Sequence, residues 1–217
     1  MKKILSIILA GLLMLGAVNV FATDKVDYTE ELSKYEIIKG DPDGNLRLDD
    51  NLTRAEAVTL MVRLYGFTPE TSDAAPANRF SDMENHWACN AAMIAKGLRI
   101  VDKENGEAFN PEENINSEEF IEMVICLLGY KEAAEQQGGK PHGYLIKASQ
   151  LGVTKGVSIA TGNAITRKDA VQILGNSLDI PLMVMTSFSA KDDNKYTIMN
   201  GKNGVEYRTL RTMLETE

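Results

Sequence analysis

The feature that most constrains this chain is a helix-start signal that occurs three times. Leu52-Thr53-Arg54-Ala55-Glu56 is echoed by Ile115-Asn116-Ser117-Glu118-Glu119 and again by Ile165-Thr166-Arg167-Lys168-Asp169. Each copy starts with an aliphatic residue and a Thr or Asn, places an acid three positions further on, and runs into an apolar helical stretch. The Thr or Asn side chain is suited to cap the third backbone N–H of the helix, and the acid to reach back to the cap's own N–H. One such capping box is common. Three of them, 63 and 50 residues apart and each following a Gly-containing turn, mark an internal repeat.

The flanking residues extend the repeat into a unit of helix, turn, short extended stretch and capped helix. In the first unit a short helix around Tyr28 to Lys34 precedes the turn Gly40-Asp41-Pro42-Asp43-Gly44, and the boxed helix presents Val58, Met61, Val62 and Tyr65 before Gly66. In the second, a helix through Ile94 to Gly97 leads to Ala108-Phe109-Asn110-Pro111 and a helix burying Phe120, Val124, Leu127 and Leu128, with Cys126 on its opposite side. In the third, Tyr144, Ile146, Ala148 and Leu151 line the first helix and Ala170, Val171, Leu174 and Leu178 the second. Helices of about ten residues cannot cover their own apolar faces, so the units are expected to pack on one another. Beyond Leu182 the period changes. Tyr196-Thr197-Ile198 and Val205-Glu206-Tyr207 alternate around Asn-Gly pairs, which predicts a small β-hairpin in a tail that adds no further core.

The amino terminus reads differently. Lys2 and Lys3 precede an apolar run from Ile4 to Val18, followed by Val20-Phe21-Ala22, the pattern of a secretory signal peptide; Asn19 interrupts the run short of the ~20 residues that a retained membrane anchor requires. Without those two lysines, 21 basic residues face 31 acidic ones, a formal charge of −10. Such a chain is exported and poorly suited to a nucleic-acid backbone. Two cysteines, Cys89 and Cys126, are too few for a disulfide framework, and the sequence leaves open whether they pair.

Few residues suggest reaction chemistry. Asp41, Asp43 and Asn45 alternate as in a calcium loop, but Leu46 and Leu52 stand where that loop needs Gly and Glu, so they read as a turn. His86 has no ligand-spaced His or Cys beside it, and Trp87, the only tryptophan, reads as a core anchor between helices. The paired carboxylates Asp49 and Asp50, or Glu118 and Glu119, lie in turns or boxes with no nucleophile–base arrangement. No catalytic residue, metal or cofactor is therefore expected.

With these residues in view, the chain resembles S-layer homology (SLH) proteins of clostridial and related Gram-positive cells over residues 35–182. The motifs that carry the resemblance are Gly40 to Gly44 with Leu52 to Glu56, Phe80-Ser81-Asp82 with His86-Trp87-Ala88, and Leu151-Gly152-Val153 with Ile165-Thr166-Arg167. The resemblance implies a mainly α fold of three SLH helix-pair repeats in a pseudo-threefold arrangement: a signal peptide (1–22), repeats at 23–66, 79–137 and 138–182, a linker at 67–78, and a tail at 183–217 that could begin a further region. It implies a cell-wall protein that binds a secondary cell wall polymer, a pyruvylated glycan linked to peptidoglycan, in grooves between repeats. Arg54, Arg167, Asp82 and Trp87 match the ligand-binding positions. A guanidinium beside the free N–H groups of a helix start also suits a carboxylate on chemical grounds. The departures are Ser117 at the arginine position of the second repeat, Asp102 in place of Gly40, and Tyr144 as the nearest counterpart of Trp87; two arginine-bearing grooves then remain. A second reading is an SLH scaffold that docks or self-assembles with other envelope proteins.

Overall fold

The computed structural model describes residues 26–70, 80–103, 106–187, 195–201 and 207–216. The expected signal peptide, most of the expected 67–78 linker and the expected Asn203-Gly204 turn lie outside the described residues. The fold is mainly helical: α1 Thr29–Lys34, α2 Arg54–Leu64, α3 Cys89–Gly97, α4 Ser117–Leu127, α5 Lys131–Glu135, α6 His142–Leu151, α7 Arg167–Ser177 and α8 Leu210–Leu214, with strands β1 Met183–Ser187 and β2 Lys195–Ile198.

The three cap residues sit where the spacing places them. Thr53, Asn116 and Thr166 are extended N-caps whose side chains accept from the backbone of Glu56, Glu119 and Asp169. The full reciprocal box closes only at Thr53, whose N–H donates to Glu56 Oε2 at 3.0 Å. At the second start both Glu119 oxygens are taken by Arg54 instead, and at the third the shorter Asp169 accepts the Thr166 hydroxyl.

The residues just before these helices join one another. Leu52 N–H donates to the Ile165 carbonyl, Ile165 N–H to Ile115, and Ile115 N–H to Leu52, at 2.9–3.0 Å, so three short extended segments close a ring of backbone hydrogen bonds. Leu52, Ile115 and Ile165 are buried at its centre. Around it α2 packs on α3, α4 on α6, and α7 on α1. The main helix contacts therefore run between units, and α2, α4 and α7 are buried over most of their circumference by partners on several sides.

Most of the predicted apolar faces are buried; Tyr65 and Leu151 are half-buried, and Ile146 is 46% exposed on α6, where Tyr144 and Ala148 face inward instead. Cys126 is half-buried rather than solvent-facing, and burial pushes its thiol up to about 12. Both cysteines are free thiols.

The tail departs from expectation twice. Tyr196–Ile198 pairs antiparallel with Met183–Met185 upstream, and Tyr207 forms an isolated bridge with Asn200, just past β2. The tail also does add to the core: α8 buries Leu210 and Met213, and Arg211 binds Asp179 and Glu31. Gly129 makes this return possible. Its φ of +84° and its approach to Met183 leave no space for a side chain, since a Cβ would lie 2.1 Å from the Met183 carbonyl oxygen.

Candidate functional site

The arginines that follow the caps lie across the joins between units. Arg54, at the start of α2, reaches Glu119 on α4: its Nε and Nη2 donate to the two carboxylate oxygens at 3.0 Å each, and Nη1 meets the Phe109 and Asn110 carbonyls and Glu113. Burial works against its charge, but Glu119 and Glu113 outweigh that and raise its pKa. Arg167, at the start of α7, reaches Glu56 on α2 at 2.9 Å and the carbonyls of Leu46 and Lys39. Their side chains are 11% and 8% exposed. Neither is a solvated first-turn residue. At the second start Ser117 is buried and donates to the Asn163 carbonyl, so the remaining join lacks its ion pair.

Each arginine opens onto a groove floored by the helix that carries its acid. The α2 groove, about 190 Å³, combines Arg167, Glu56, Thr59, Arg63, Lys39 and Trp87 with the Gly40–Asn45 turn. The α4 groove, about 170 Å³, combines Arg54, Glu119, Glu122, Asp102, Lys103 and Lys140. The two are built to one plan. Glu36 and Arg99, 63 residues apart like the caps, both take positive φ (57° and 59°), as do Arg47 and Asn110 (50° and 57°). In that register Lys39 corresponds to Asp102, Glu56 to Glu119 and Thr59 to Glu122. Asp102 therefore replaces Lys39 rather than Gly40. Past α3 and α6, Ile100 and Val153 donate to the carbonyls of Ala95 and Ala148, which puts Lys140, not Tyr144, at the position of Trp87. Tyr144 is buried and donates its hydroxyl to Glu135 at 2.6 Å.

Trp87 is not a core anchor. It is 62% exposed, beside the His86 ring at a centroid distance of 5.6 Å, and lies along the α2 groove. His86 accepts the Ala88 N–H at Nδ1, which leaves Nε2 to donate to Glu112 at 2.8 Å and fixes the loop beneath the indole. Asp82 accepts the Phe109 and Asn110 N–H groups, one on each oxygen at 2.7 Å. Burial pushes its carboxyl up, but those two donors prevail and hold it below the usual range. Asp82 thus braces the loop whose carbonyls receive Arg54. Asp41 plays the local part in the first unit, accepting the N–H groups of Asp43 and Asn45.

The sequence did not single out Arg63. It lies two turns along α2 from Glu56, pairs with Glu70, and its buried Nε has no hydrogen-bond partner among the described residues. The signal available was its spacing of seven from the box acid, which puts both on one helix face.

The model of the S-layer homology domain family matches residues 25–58 and 79–121. The chain is 28% identical over 203 residues to the middle cell wall protein of Brevibacillus brevis, 26% over 198 to a cell surface protein of Thermoanaerobacter kivui, and 26% over 199 to the surface layer protein of Brevibacillus choshinensis. This is an S-layer homology domain protein. The three alignments cover 84–87% of the SLH chain and so extend past the two matched segments. The chain spans only 19%, 25% and 17% of these relatives' own lengths. Membership places it at the bacterial cell surface, and no helix among the described residues is long and apolar enough to cross a membrane.

Proposed function

We propose that this SLH protein anchors to the cell wall without catalysis, by holding an acidic secondary cell wall polymer, a pyruvylated glycan, in grooves between three units arranged about a pseudo-threefold axis. The arrangement is supported by the closed hydrogen-bond ring of Leu52, Ile115 and Ile165 and by helix packing that runs from each unit to the next. The observation that carries the glycan reading is the α2 groove. It sets an exposed indole beside four cationic side chains and two carboxylates, and it contains a buried guanidinium N–H with no partner among the described residues. An aromatic face suits a sugar ring, and the surplus of donors suits its carboxylate. In this reading Arg167 and Trp87 contact the polymer, while Arg54 and Asp82 build the second groove. Retention on purified sacculi, lost once their polymer is extracted, is the expected result. Retention that survives extraction would instead favour docking on envelope proteins.

A further inference from the structure

The two grooves share a backbone plan and nearly the same volume, so what they hold depends on their linings. Three corresponding positions change character. Lys39, Thr59 and Trp87 on the α2 side become Asp102, Glu122 and Lys140 on the α4 side. The changes are coupled: the Lys140 ammonium binds both Glu122 and Asp102, and Asp102 also receives Lys131 at 3.1 Å. Glu122 is 19% exposed while Lys140 and Asp102 are 43% and 57% exposed, so the cluster runs from inside the groove out to its mouth. Among the described residues the α4 groove has as many carboxylates as cations in its lining, whereas the α2 groove has four cations to two carboxylates. Arg54 adds little to attract a ligand, because four acceptors besides Glu119 Oε1 already surround it. Arg167 is likewise held by Glu56 and the Leu46 and Lys39 carbonyls, so the cationic surplus of the α2 groove rests on Lys39, Arg47 and Arg63.

We infer that these three positions decide which groove takes the anionic sugar: the α2 groove is the receiving one, and the α4 groove is closed by its own Lys140, held on Glu122 and Asp102 in the place a ligand would occupy. An anion entering the α4 groove would face two carboxylates and would have to strip the ammonium from them. In the α2 groove the same anion meets cations and an open indole face. The inference rests on the glycan reading above and assigns its site.

The test uses the methyl glycoside of N-acetylmannosamine carrying a pyruvate ketal, titrated calorimetrically into the full chain while Trp87 emission is followed. Trp87 is the only tryptophan and lies in the α2 groove, so it reports that groove alone. The expected result is a single site per chain, with emission and heat saturating together. Two sites in the wild type would overturn the inference and leave the glycan reading intact, as would a single site that does not alter Trp87 emission. No binding at all would overturn the glycan reading itself. The variant Asp102→Lys/Glu122→Thr/Lys140→Trp copies the α2 lining into the α4 groove and should gain a second site. If that variant melts like the wild type and still binds once, these positions do not decide the choice. If it fails to fold, the wild-type titration decides alone.

Discussion

The α2 and α4 grooves are two versions of one construction. In each, an arginine from the start of one capped helix crosses to the box acid of another, and a loop with one left-handed residue supplies carbonyls to the guanidinium. The α2 groove places lysine, threonine and an exposed tryptophan around this frame; the α4 groove places aspartate, glutamate and a lysine bound to both. The frame and the lining therefore answer to different demands. The frame joins units and must be kept for the fold to close, while the lining is free to change in charge. A motif that recurs because it holds the fold together does not by itself say which copy binds.

The strongest way to break this comparison is through the two arginines. Arg54→Ala removes the partner of Glu119 and Glu113 and leaves Glu119 facing Glu122 at a half-buried join. A loss of about 3 kcal/mol is expected for a buried pair broken on one side. That corresponds to a fall in Tm of roughly 6–12 °C for a chain of this size. Arg167→Ala should cost less, about 2 kcal/mol, because Glu56 retains its capping box and Arg47 stands 3.9 Å away. Thermal melts at neutral pH measure both. A smaller loss for Arg54 than for Arg167 would show that the two joins are not related as their contacts indicate.

Asp82 offers a pH-resolved version of the same comparison, since it braces only the loop that feeds Arg54. Its folded pKa lies below the usual carboxylate value of 3.8, so the ionised form is the one the fold favours. The resulting stability is fully present above that usual value and is lost as the pH falls through the lower folded one. Asp82→Asn should cost about 1 kcal/mol at neutral pH, the charged hydrogen bonds being discounted for the exposure of the side chain. The difference from the wild type should shrink as the pH falls below about 4 and through the lower folded value, beneath which both side chains are neutral. A gap that stayed constant down to pH 2 would assign the effect to shape rather than charge.

The frame was legible in the sequence because capping is local. Thr53, Asn116 and Thr166, with their acids three residues on, announce helix starts without reference to the rest of the chain. The buried faces of α2, α4 and α7 followed from their apolar periods. What could not be read is where long side chains go once three distant segments meet. The spacing gave Arg54 and Arg167 a helix start but not the carboxylates across the joins, 65 and 111 residues away. Trp87 looked like core because a lone tryptophan usually is, and its exposure depends on His86 holding the loop below it. Lys140 was invisible as the counterpart of Trp87 because the two share no chemistry, only a place before a helix.

Ser117→Arg sharpens the comparison by attempting to rebuild the missing third join. Arg54 and Arg167 reach Glu119 and Glu56, each the third residue of another unit's capped helix; the third such acid is Asp169. An arginine at 117 has that carboxylate as its partner by the same rule. The gain is limited because Asp169 is one methylene shorter and already accepts the Thr166 hydroxyl. An increase of about 0.5–1 kcal/mol is expected, seen as a Tm rise of roughly 1–4 °C. A fall in Tm would mean that the buried Ser117 site has no space for the side chain, and that the third join had closed around the smaller residue.

Trp87→Ala should have the smallest effect on stability and separates lining from frame most directly. A packed tryptophan would lose about 3–5 kcal/mol on truncation. Trp87 is 62% exposed, and its neighbour His86 is fixed by Glu112 and the Ala88 N–H rather than by the indole. Its removal should therefore change stability by no more than about 0.5 kcal/mol, a shift in Tm below roughly 2 °C. The sugar probe should nevertheless bind about tenfold more weakly, since the ring face is the groove's aromatic surface. Calorimetric titration and a melt on the same preparation test both halves. A large drop in Tm would return Trp87 to the frame, and an unchanged affinity would remove it from the lining.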